Sequence, residues 1–156
     1  MLVDGKWSVD WQPVQATDAK GGFVRQVSSF RNWVTPDGAP GPTGRGGSKA
    51  EARRYHLYAA LICPWASRTL IARNLKKLDD AVSVTIVEPQ ITDQGWRFGD
   101  YPGAGRDTLN GATYLHELYT RADPRFTGRA TVPVLWDIET SSTTSPPTLF
   151  RFRRAG

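Results

Sequence analysis

The stretch YHLYAALICPWASRTLIARNLKKL, residues 55–78, decides the fold. Its first part, Tyr55–Ala60, alternates and is rich in β-prone residues, which predicts a strand. Val82–Val87 (VSVTIV) predicts a second strand of the buried type. Between them, Pro64–Leu78 predicts an amphipathic helix, whose apolar face would consist of Leu70, Ile71, Leu75 and Leu78. Strand, helix and strand at this spacing indicate a βαβ unit with parallel strands and a right-handed crossover.

The flanking sequence divides the chain into three parts. Leu109–Arg121 predicts a second helix and Thr131–Trp136 (TVPVLW) a further strand, so residues 51–137 form one α/β domain. Residues 1–50 predict an extended arm and a loop over Pro36–Gly47, the arm being pinned by Trp7, Trp11, Phe23, Phe30 and Trp33. Residues from Ile138 to the end are low in complexity and lack an amphipathic period. We expect this tail, 138–156, to belong to no fold.

Composition excludes several classes of protein. Hydrophobic residues make up 39% and charged residues 22% of the 156 residues, which is typical of a globular domain. There is no long apolar run, no signal-peptide pattern at the start, and no internal disulfide is possible with a single cysteine. We therefore expect a cytoplasmic protein without a membrane partner. The net charge of +5 is dispersed rather than gathered in a basic stripe, so we expect no nucleic-acid partner.

The sequence Cys63-Pro64-Trp65-Ala66 is the chemical centre of the chain. Cys63 lies between the predicted strand and helix, and Pro64 suits the first helical turn. The unpaired N–H groups and the dipole of a helix N-terminus stabilise a thiolate over a thiol, which makes the sulfur nucleophilic near neutral pH. The alternative is that Cys63 is a small buried hydrophobe, as most lone cysteines are. Its position favours a reactive thiol.

A second inference follows from counting thiols. Ala66 occupies the position of the second thiol in a Cys-x-x-Cys motif, and the chain has no other cysteine. Any mixed disulfide formed on Cys63 must therefore be cleared by an external thiol. The obvious cellular thiol is glutathione.

Pro133 is the second feature of the site. Thioredoxin-like folds place a cis-proline opposite the active-site helix, and the residue before it offers its backbone to a peptide ligand. Val132-Pro133, entering the predicted Val134–Trp136 strand, fits this arrangement. The alternative is an ordinary edge-strand proline.

Several motifs in the correct order resemble the glutathionyl-hydroquinone reductases, the Xi class of glutathione transferases. They are CPWASRTL, Gly95–Phe98 (GWRF), YLHELYTRADPRFTGR, TVPVLWD and the Phe23–Arg31 motif F-x-R-x-x-S-x-F-R. The resemblance covers roughly residues 1–140. It implies a thioredoxin-like N-terminal domain, glutathione as co-substrate and a family that forms dimers.

The resemblance also implies a mechanism and a set of site residues. The thiolate of Cys63 would attack the sulfur of a glutathionyl-hydroquinone, and a second glutathione would then release oxidised glutathione. Trp96 would pack against glutathione, Arg129 would pair with one of its carboxylates, and Val132 would bind its backbone. Trp96 could instead anchor its loop, and Arg129 could be a solvated surface charge. Ser67 stands where the family usually has His. No metal-ligand spacing is present.

The end of the chain departs from the family. The resemblance implies a continuing Asn-Glu-Ser segment and an all-helical C-terminal domain, and neither follows TVPVLWD here. A permitted back-translation of Ser141–Phe150, read two bases later, encodes Val-Asp-Asn-Glu-Ser-Ala-Asp-Ile-Ile. We therefore hypothesise that the tail is a frameshifted reading of the gene, which genomic sequence would test. We expect loss of the last strand and helix, low stability and impaired catalysis.

Two other functions remain open from the sequence. One is a glutaredoxin-like monothiol module that exchanges glutathione with protein thiols. The other is an inactive, truncated gene product.

Overall fold

The computed structural model describes residues 1–9, 19–20, 30, 32–42 and 46–144. Within these residues the elements are, in chain order, β1 (Leu2–Val3), β2 (Lys6–Trp7), β3 (Trp33–Thr35), β4 (Gly47–Lys49), β5 (Tyr55–Ala59), α1 (Pro64–Leu75), β6 (Val82–Ile86), β7 (Ile91–Thr92), β8 (Gly95–Trp96), α2 (Leu115–Ala122), β9 (Val134–Asp137) and β10 (Ser142–Thr144). The predicted anchors Trp11 and Phe23 and the tail beyond residue 144 lie outside the described residues. None of the described helices is long and apolar enough to span a membrane.

The central sheet has four strands in the order β10-β9-β5-β6. β5 and β6 run parallel, with Tyr55 opposite Val82, and α1 connects them. β9 lies antiparallel on the other side of β5, with Tyr55 opposite Asp137. All five residues of β5 are buried, as expected for a strand in the middle of a covered sheet. The predicted βαβ unit is confirmed.

α1 begins where the sequence predicts and ends earlier. Cys63 is its N-cap residue and Pro64 its first helical residue. The helix ends at Leu75 instead of Leu78, because Lys77 adopts the left-handed conformation with a φ of 53°. The N–H of Lys77 donates to the carbonyl of Asn74 at 3.0 Å, which satisfies a carbonyl of the last turn.

The predicted inward face of α1 is confirmed in part, because Leu70 and Leu78 pack against the core. Ala66 and Thr69 are the buried residues of the helix, whereas Ile71 is 56% exposed and Leu75 is 79% exposed. Thr69 Oγ1 donates to the Ala66 carbonyl at 2.7 Å, so this hydroxyl is satisfied in the core. Ala66 and Thr69, which apolar periodicity does not identify, thus share the inward side of the helix with Leu70.

α2 begins at Leu115, six residues after the predicted start at Leu109. The preceding segment forms a turn because the Asp107 carboxylate takes backbone N–H groups that a helix would use. It accepts hydrogen bonds at 3.2 Å each from the N–H groups of Leu109, Asn110 and Ala112. The helix starts after Tyr114, whose N–H donates to the Glu117 carboxylate at 2.9 Å.

β10 corrects part of the prediction that residues 138–156 belong to no fold, since Ser142–Thr144 form a strand and the residues beyond 144 lie outside the described part of the chain. Ser142–Thr144 pairs antiparallel with β9, with Thr143 opposite Trp136, and forms the outer strand of the sheet. The strand whose loss was expected is therefore present. Sequence reasoning missed it because a short run of Ser and Thr carries no apolar pattern, and its pairing depends on β9. Thr143 is buried, and its Oγ1 has no hydrogen-bond partner in the described part of the chain.

The start of the chain is part of the domain rather than a separate extended arm. β1 and β2 form a hairpin, and Leu2 is fully buried in the same core as β5 and β9. Leu2 exchanges two backbone hydrogen bonds with Gly128, both of 3.0 Å. At the turn, Gly5 has a φ of 75°, and a Cβ there would collide with the Pro124 carbonyl oxygen.

The predicted loop between residues 36 and 47 is bordered by two paired strands. β3 and β4 run parallel, with Trp33 opposite Gly47. A Cβ at Gly47 would collide with the Ala39 carbonyl oxygen, so glycine allows the chain to return to β3. The predicted loop thus closes into a small sheet of its own.

Candidate functional site

Cys63 lies at the junction of β5 and α1, at the end of the sheet where β5 finishes. It is half-buried, with its backbone in an extended conformation (φ −94°, ψ 115°) that precedes the helix. Its N–H donates to the Ala60 carbonyl at 3.2 Å, and the N–H of Ser67 donates to the Cys63 carbonyl at 3.0 Å. The sulfur is thus held at the N-terminus of a twelve-residue helix, where unpaired N–H groups favour negative charge.

Cys63 and Val132, 69 residues apart in sequence, are brought together in the fold. The Sγ atom of Cys63 lies 3.7 Å from the carbonyl oxygen of Val132, a weak S–H···O hydrogen bond. The Val132-Pro133 peptide bond is cis, as the sequence predicted. Val132 is buried and lies two residues before β9, so the sheet fixes its backbone beside the sulfur.

Ser67, which stands where the resemblance implies His, does not contact the sulfur by a hydrogen bond. Its Oγ donates to the Cys63 carbonyl at 3.1 Å. In the described residues no charged side chain forms a hydrogen bond with Cys63 Sγ. The helix N-terminus is therefore the feature of the described structure that offers N–H groups near the sulfur.

Trp96 lies on a different segment, the β7–β8 hairpin. It pairs with Ile91, is half-buried and packs against the core. The hairpin is itself supported by Trp7, whose Nε1 donates to the Asp93 carbonyl at 3.0 Å and whose ring faces Gly95. This placement is compatible both with a ligand contact and with the alternative of a loop anchor.

Arg129 lies on the segment that links Gly128 to Val132. Its side chain is exposed, and it forms no ion pair with any described residue. Burial and the nearby positive charge of Arg129 lower the pKa of the Met1 amino group. An exposed guanidinium three residues before Val132 is available for an anionic ligand.

Tyr119 is a residue near the site that sequence reasoning placed only in an apolar helical cluster. Its hydroxyl donates to the Thr131 carbonyl at 2.8 Å and accepts the Thr131 N–H at 3.2 Å. Thr131 directly precedes Val132. No sequence signal distinguishes this tyrosine, because its partner is a backbone group twelve residues away.

Comparison with known proteins identifies the domain. The family model of the glutathione S-transferase N-terminal domain matches residues 62–147, which is more than half of the chain. The chain belongs to the glutathione S-transferase family. The match begins one residue before Cys63 and continues beyond β10, so it includes the strand that sequence reasoning assigned to an unfolded tail.

The related transferases support the resemblance found in the motifs. The chain is 54% identical over 137 residues to the glutathionyl-hydroquinone reductase YqjG of Escherichia coli, covering 87% of this chain and 41% of that protein. It is 40% identical over 137 residues to the glutathionyl-hydroquinone reductase PcpF of Sphingobium chlorophenolicum, covering 88% and 40%. The predicted resemblance is confirmed. The chain spans about 40% of the length of these curated relatives.

Solved structures of transferases confirm the thioredoxin-like fold class. The glutathione-bound structure of YqjG matches with a TM-score of 0.78 at 47% identity, over 94% of this chain and 41% of that chain. A Xi-class transferase from Natrialba magadii matches with a TM-score of 0.74 at 43% identity, over 92% and 40%.

Both histidines of this transferase domain are bonded or packed away from Cys63. His56 Nδ1 lies 2.6 Å from Ser83 Oγ and Nε2 lies 2.9 Å from Thr85 Oγ1, and burial lowers its pKa to about 4. The His116 ring stacks on Trp7 at 4.7 Å, and burial lowers its pKa as well. Across the described ranges no group of three or more His, Cys, Asp or Glu residues could hold a metal ion.

Proposed function

We propose that this transferase chain reduces glutathionyl-hydroquinones to hydroquinones, with Cys63 as the nucleophile and glutathione as the co-substrate. The observation that carries the proposal is the position of the lone thiol. Cys63 lies at the N-terminus of α1, 3.7 Å from the carbonyl of the residue before a cis-proline, and the chain has no second cysteine. The printed names of the relatives supply the class of substrate.

The first step transfers glutathione to Cys63. The thiolate attacks the sulfur of the glutathionyl-hydroquinone and forms an S–S bond, while the bond between that sulfur and the ring carbon breaks. The electron pair of the broken bond stays on the ring carbon, which takes up a proton, and the hydroquinone leaves. Cys63 is now in a mixed disulfide with glutathione.

The second step regenerates the thiolate. A second glutathione, as its thiolate, attacks the glutathione sulfur of the mixed disulfide, so that Cys63 is released and oxidised glutathione leaves. The substrate gains two electrons and the two glutathione units lose them. A second protein thiol is not needed, which agrees with Ala66 at the position where a dithiol enzyme has cysteine.

Three further residues are proposed to bind glutathione. Val132 would bind its cysteinyl backbone through main-chain hydrogen bonds, which places the glutathione sulfur beside Cys63. Arg129, exposed on the same segment, would pair with a carboxylate of glutathione. Trp96 would pack against it from the β7–β8 hairpin. We also propose that this chemistry takes place in the cytoplasm, where glutathione is abundant. Dimerisation, which the resemblance implies, is a further part of the proposal.

The test is a product assay with a matched variant. The purified chain is incubated with a glutathionyl-hydroquinone and glutathione, and hydroquinone and oxidised glutathione are quantified by chromatography beside the Cys63→Ser variant. The proposal expects equimolar products from the wild-type chain and none above background from the variant. Activity on a glutathionylated protein but not on the hydroquinone conjugate would replace it with a monothiol exchange function. Activity on neither would indicate an inactive gene product.

A further inference from the structure

We propose that Tyr119 is a positioning residue of the glutathione site, since its hydroxyl clamps the Thr131 backbone and thereby fixes Val132 beside Cys63. This inference rests on the proposed function in one respect, namely that the Val132 backbone binds glutathione. Tyr119 itself touches neither the thiol nor, in this account, the ligand. It acts through the peptide groups that precede the cis-proline.

The Tyr119 hydroxyl makes two hydrogen bonds, and both are to the backbone of Thr131. It donates to the Thr131 carbonyl at 2.8 Å and accepts the Thr131 N–H at 3.2 Å. Burial raises the pKa of Tyr119, so the phenol keeps the proton that it donates. The two bonds fix the peptide planes on both sides of Thr131, and the second of these planes contains the nitrogen of Val132.

The ring of Tyr119 is also held in place, by burial and by packing against other rings. Tyr119 lies on α2, one of its three buried residues. The ring packs against Phe126 at a centroid distance of 5.0 Å and against Phe30 at 5.7 Å. A hydroxyl on a ring fixed in this way is preorganised, so little freedom is lost when it holds Thr131.

The segment that carries the proposed ligands is clamped at its other end too. Leu2 exchanges two 3.0 Å backbone hydrogen bonds with Gly128. Arg129 and Ala130 lie between Gly128 and Thr131. Arg129, which is proposed to bind a carboxylate of glutathione, is therefore flanked on both sides by backbone held in hydrogen bonds. The clamp of Tyr119 is the one adjacent to Val132.

The consequence for ligand binding follows from the hydrogen bonds lost in a Tyr119→Phe variant. The ring packing stays, but the Thr131 carbonyl and N–H lose their partner, and the Val132 backbone is no longer held in the geometry that glutathione requires. Loss of two ordinary hydrogen bonds from a preorganised site predicts weaker binding by about five- to tenfold.

The experiment measures glutathione binding through protection of the thiol. Cys63 is alkylated with iodoacetamide at increasing concentrations of S-methylglutathione, in the wild-type chain, Tyr119→Phe and Tyr58→Phe. Tyr58 is the matched control: it is also buried, and its hydroxyl donates to Asp107 at 2.8 Å instead of to the site. Thermal unfolding of each variant is recorded in parallel.

The expected result separates positioning from general stability. In Tyr119→Phe the half-protecting concentration rises about five- to tenfold, while the alkylation rate without ligand stays within about twofold of wild type. In Tyr58→Phe both quantities stay near the wild-type values although the unfolding temperature falls. Equal changes in both variants, or none in Tyr119→Phe, would overturn the inference and leave the proposed function standing. No protection of the wild-type chain would contradict both.

A measurement on the wild-type chain covers the case in which Tyr119→Phe does not fold. Amide hydrogen exchange is followed at Thr131 without ligand. The clamp requires this amide to exchange slowly, because its N–H is bonded to Tyr119. Exchange at the rate of an unstructured peptide would overturn the inference.

Discussion

The two ends of the central sheet use polar groups in opposite ways. At the end where β5 begins, Arg54 donates two hydrogen bonds to the buried Asp137, at 3.0 and 2.7 Å, and also pairs with Glu51 and Glu139 at 2.9 Å. At the end where β5 finishes, Cys63 Sγ has one weak hydrogen bond among the described residues, of 3.7 Å. The polar groups of the first end are paired with one another and stabilise the fold, whereas the second end is where we propose that glutathione binds.

The largest expected effect on stability comes from removing the Arg54 guanidinium at the end of the sheet where β5 begins. Arg54→Met keeps an unbranched apolar stem but leaves the Asp137 carboxylate, which is fully buried, without its ion-pair partner. We expect a loss of about 3 kcal/mol in the free energy of unfolding, since an unpaired buried charge is costly. Urea unfolding measures it.

The control for Arg54→Met is the same substitution at Arg68, an arginine that lies on the surface. Arg68→Met removes a cation that lies 4.7 Å above the exposed Trp65 ring, and we expect a change within about 0.5 kcal/mol. If both variants unfold at the same urea concentration, the Arg54 cluster is not what stabilises this end of the sheet.

The next effect is a pH dependence at His56. Burial lowers its folded pKa to about 4, below the unfolded value near 6.5, so the unfolded chain binds a proton first as the pH falls. Its contribution is fully present above about pH 6.5 and is lost as the pH falls towards 4. Between pH 7.5 and 5 this predicts a loss of about 2 kcal/mol in unfolding free energy.

The His56→Asn variant is the comparison for that pH dependence. It has no titrating group at this position, so its stability should change less between pH 7.5 and 5 than that of the wild-type chain. Asp137 does not interfere in this window, because Arg54 overcomes the effect of burial and holds the pKa of Asp137 below its usual range. An identical pH profile in the two proteins would refute the role of His56.

A smaller effect of opposite sign is expected at the outer strand. Thr143 is buried, and its hydroxyl has no hydrogen-bond partner in the described residues. Thr143→Val keeps the shape and removes the unsatisfied group, so we expect a gain of about 1 kcal/mol. Thermal unfolding beside Ser142→Val, at a less buried neighbour, checks it. A destabilised Thr143→Val chain would show that the hydroxyl is satisfied in solution.

The smallest effect on stability is expected from a substitution of Cys63. Cys63→Ser places a favoured N-cap residue at the start of α1, and the half-buried sulfur has only weak contacts. The unfolding free energy should change by less than about 0.5 kcal/mol. A loss as large as that of Arg54→Met would make Cys63 a structural residue instead of a reactive one.

How far the sequence predicts this molecule differs between regions for physical reasons. The β5–α1–β6 unit and the junction at Cys63 follow from local patterns: buried strands and a proline at a helix start. The meeting of Cys63 with Val132 follows from the fold class. In contrast, the inward face of α1 is predicted only in part: Leu70 packs against the core as expected, but apolar periodicity does not reveal the buried Ala66 and Thr69.

Three other features depend on hydrogen-bond partners that hydrophobic patterning does not reveal. β10 is a strand because β9 offers it a paired edge, although its own residues are only Ser and Thr. The late start of α2 depends on Asp107, which takes backbone N–H groups from the predicted first turn. The clamp by Tyr119 joins a side chain to a backbone twelve residues away. Hydrophobic periodicity therefore reveals none of the three.

The central claim is that Cys63 accepts glutathione from a hydroquinone conjugate, and intact mass spectrometry tests it most directly. The wild-type chain and Cys63→Ser are mixed with a glutathionyl-hydroquinone in the absence of glutathione, and their masses are recorded before and after reduction. We predict a single glutathionyl adduct on the wild-type chain, removed by dithiothreitol, and no adduct on the variant. A folded wild-type chain without an adduct, or the same adduct on Cys63→Ser, would contradict it.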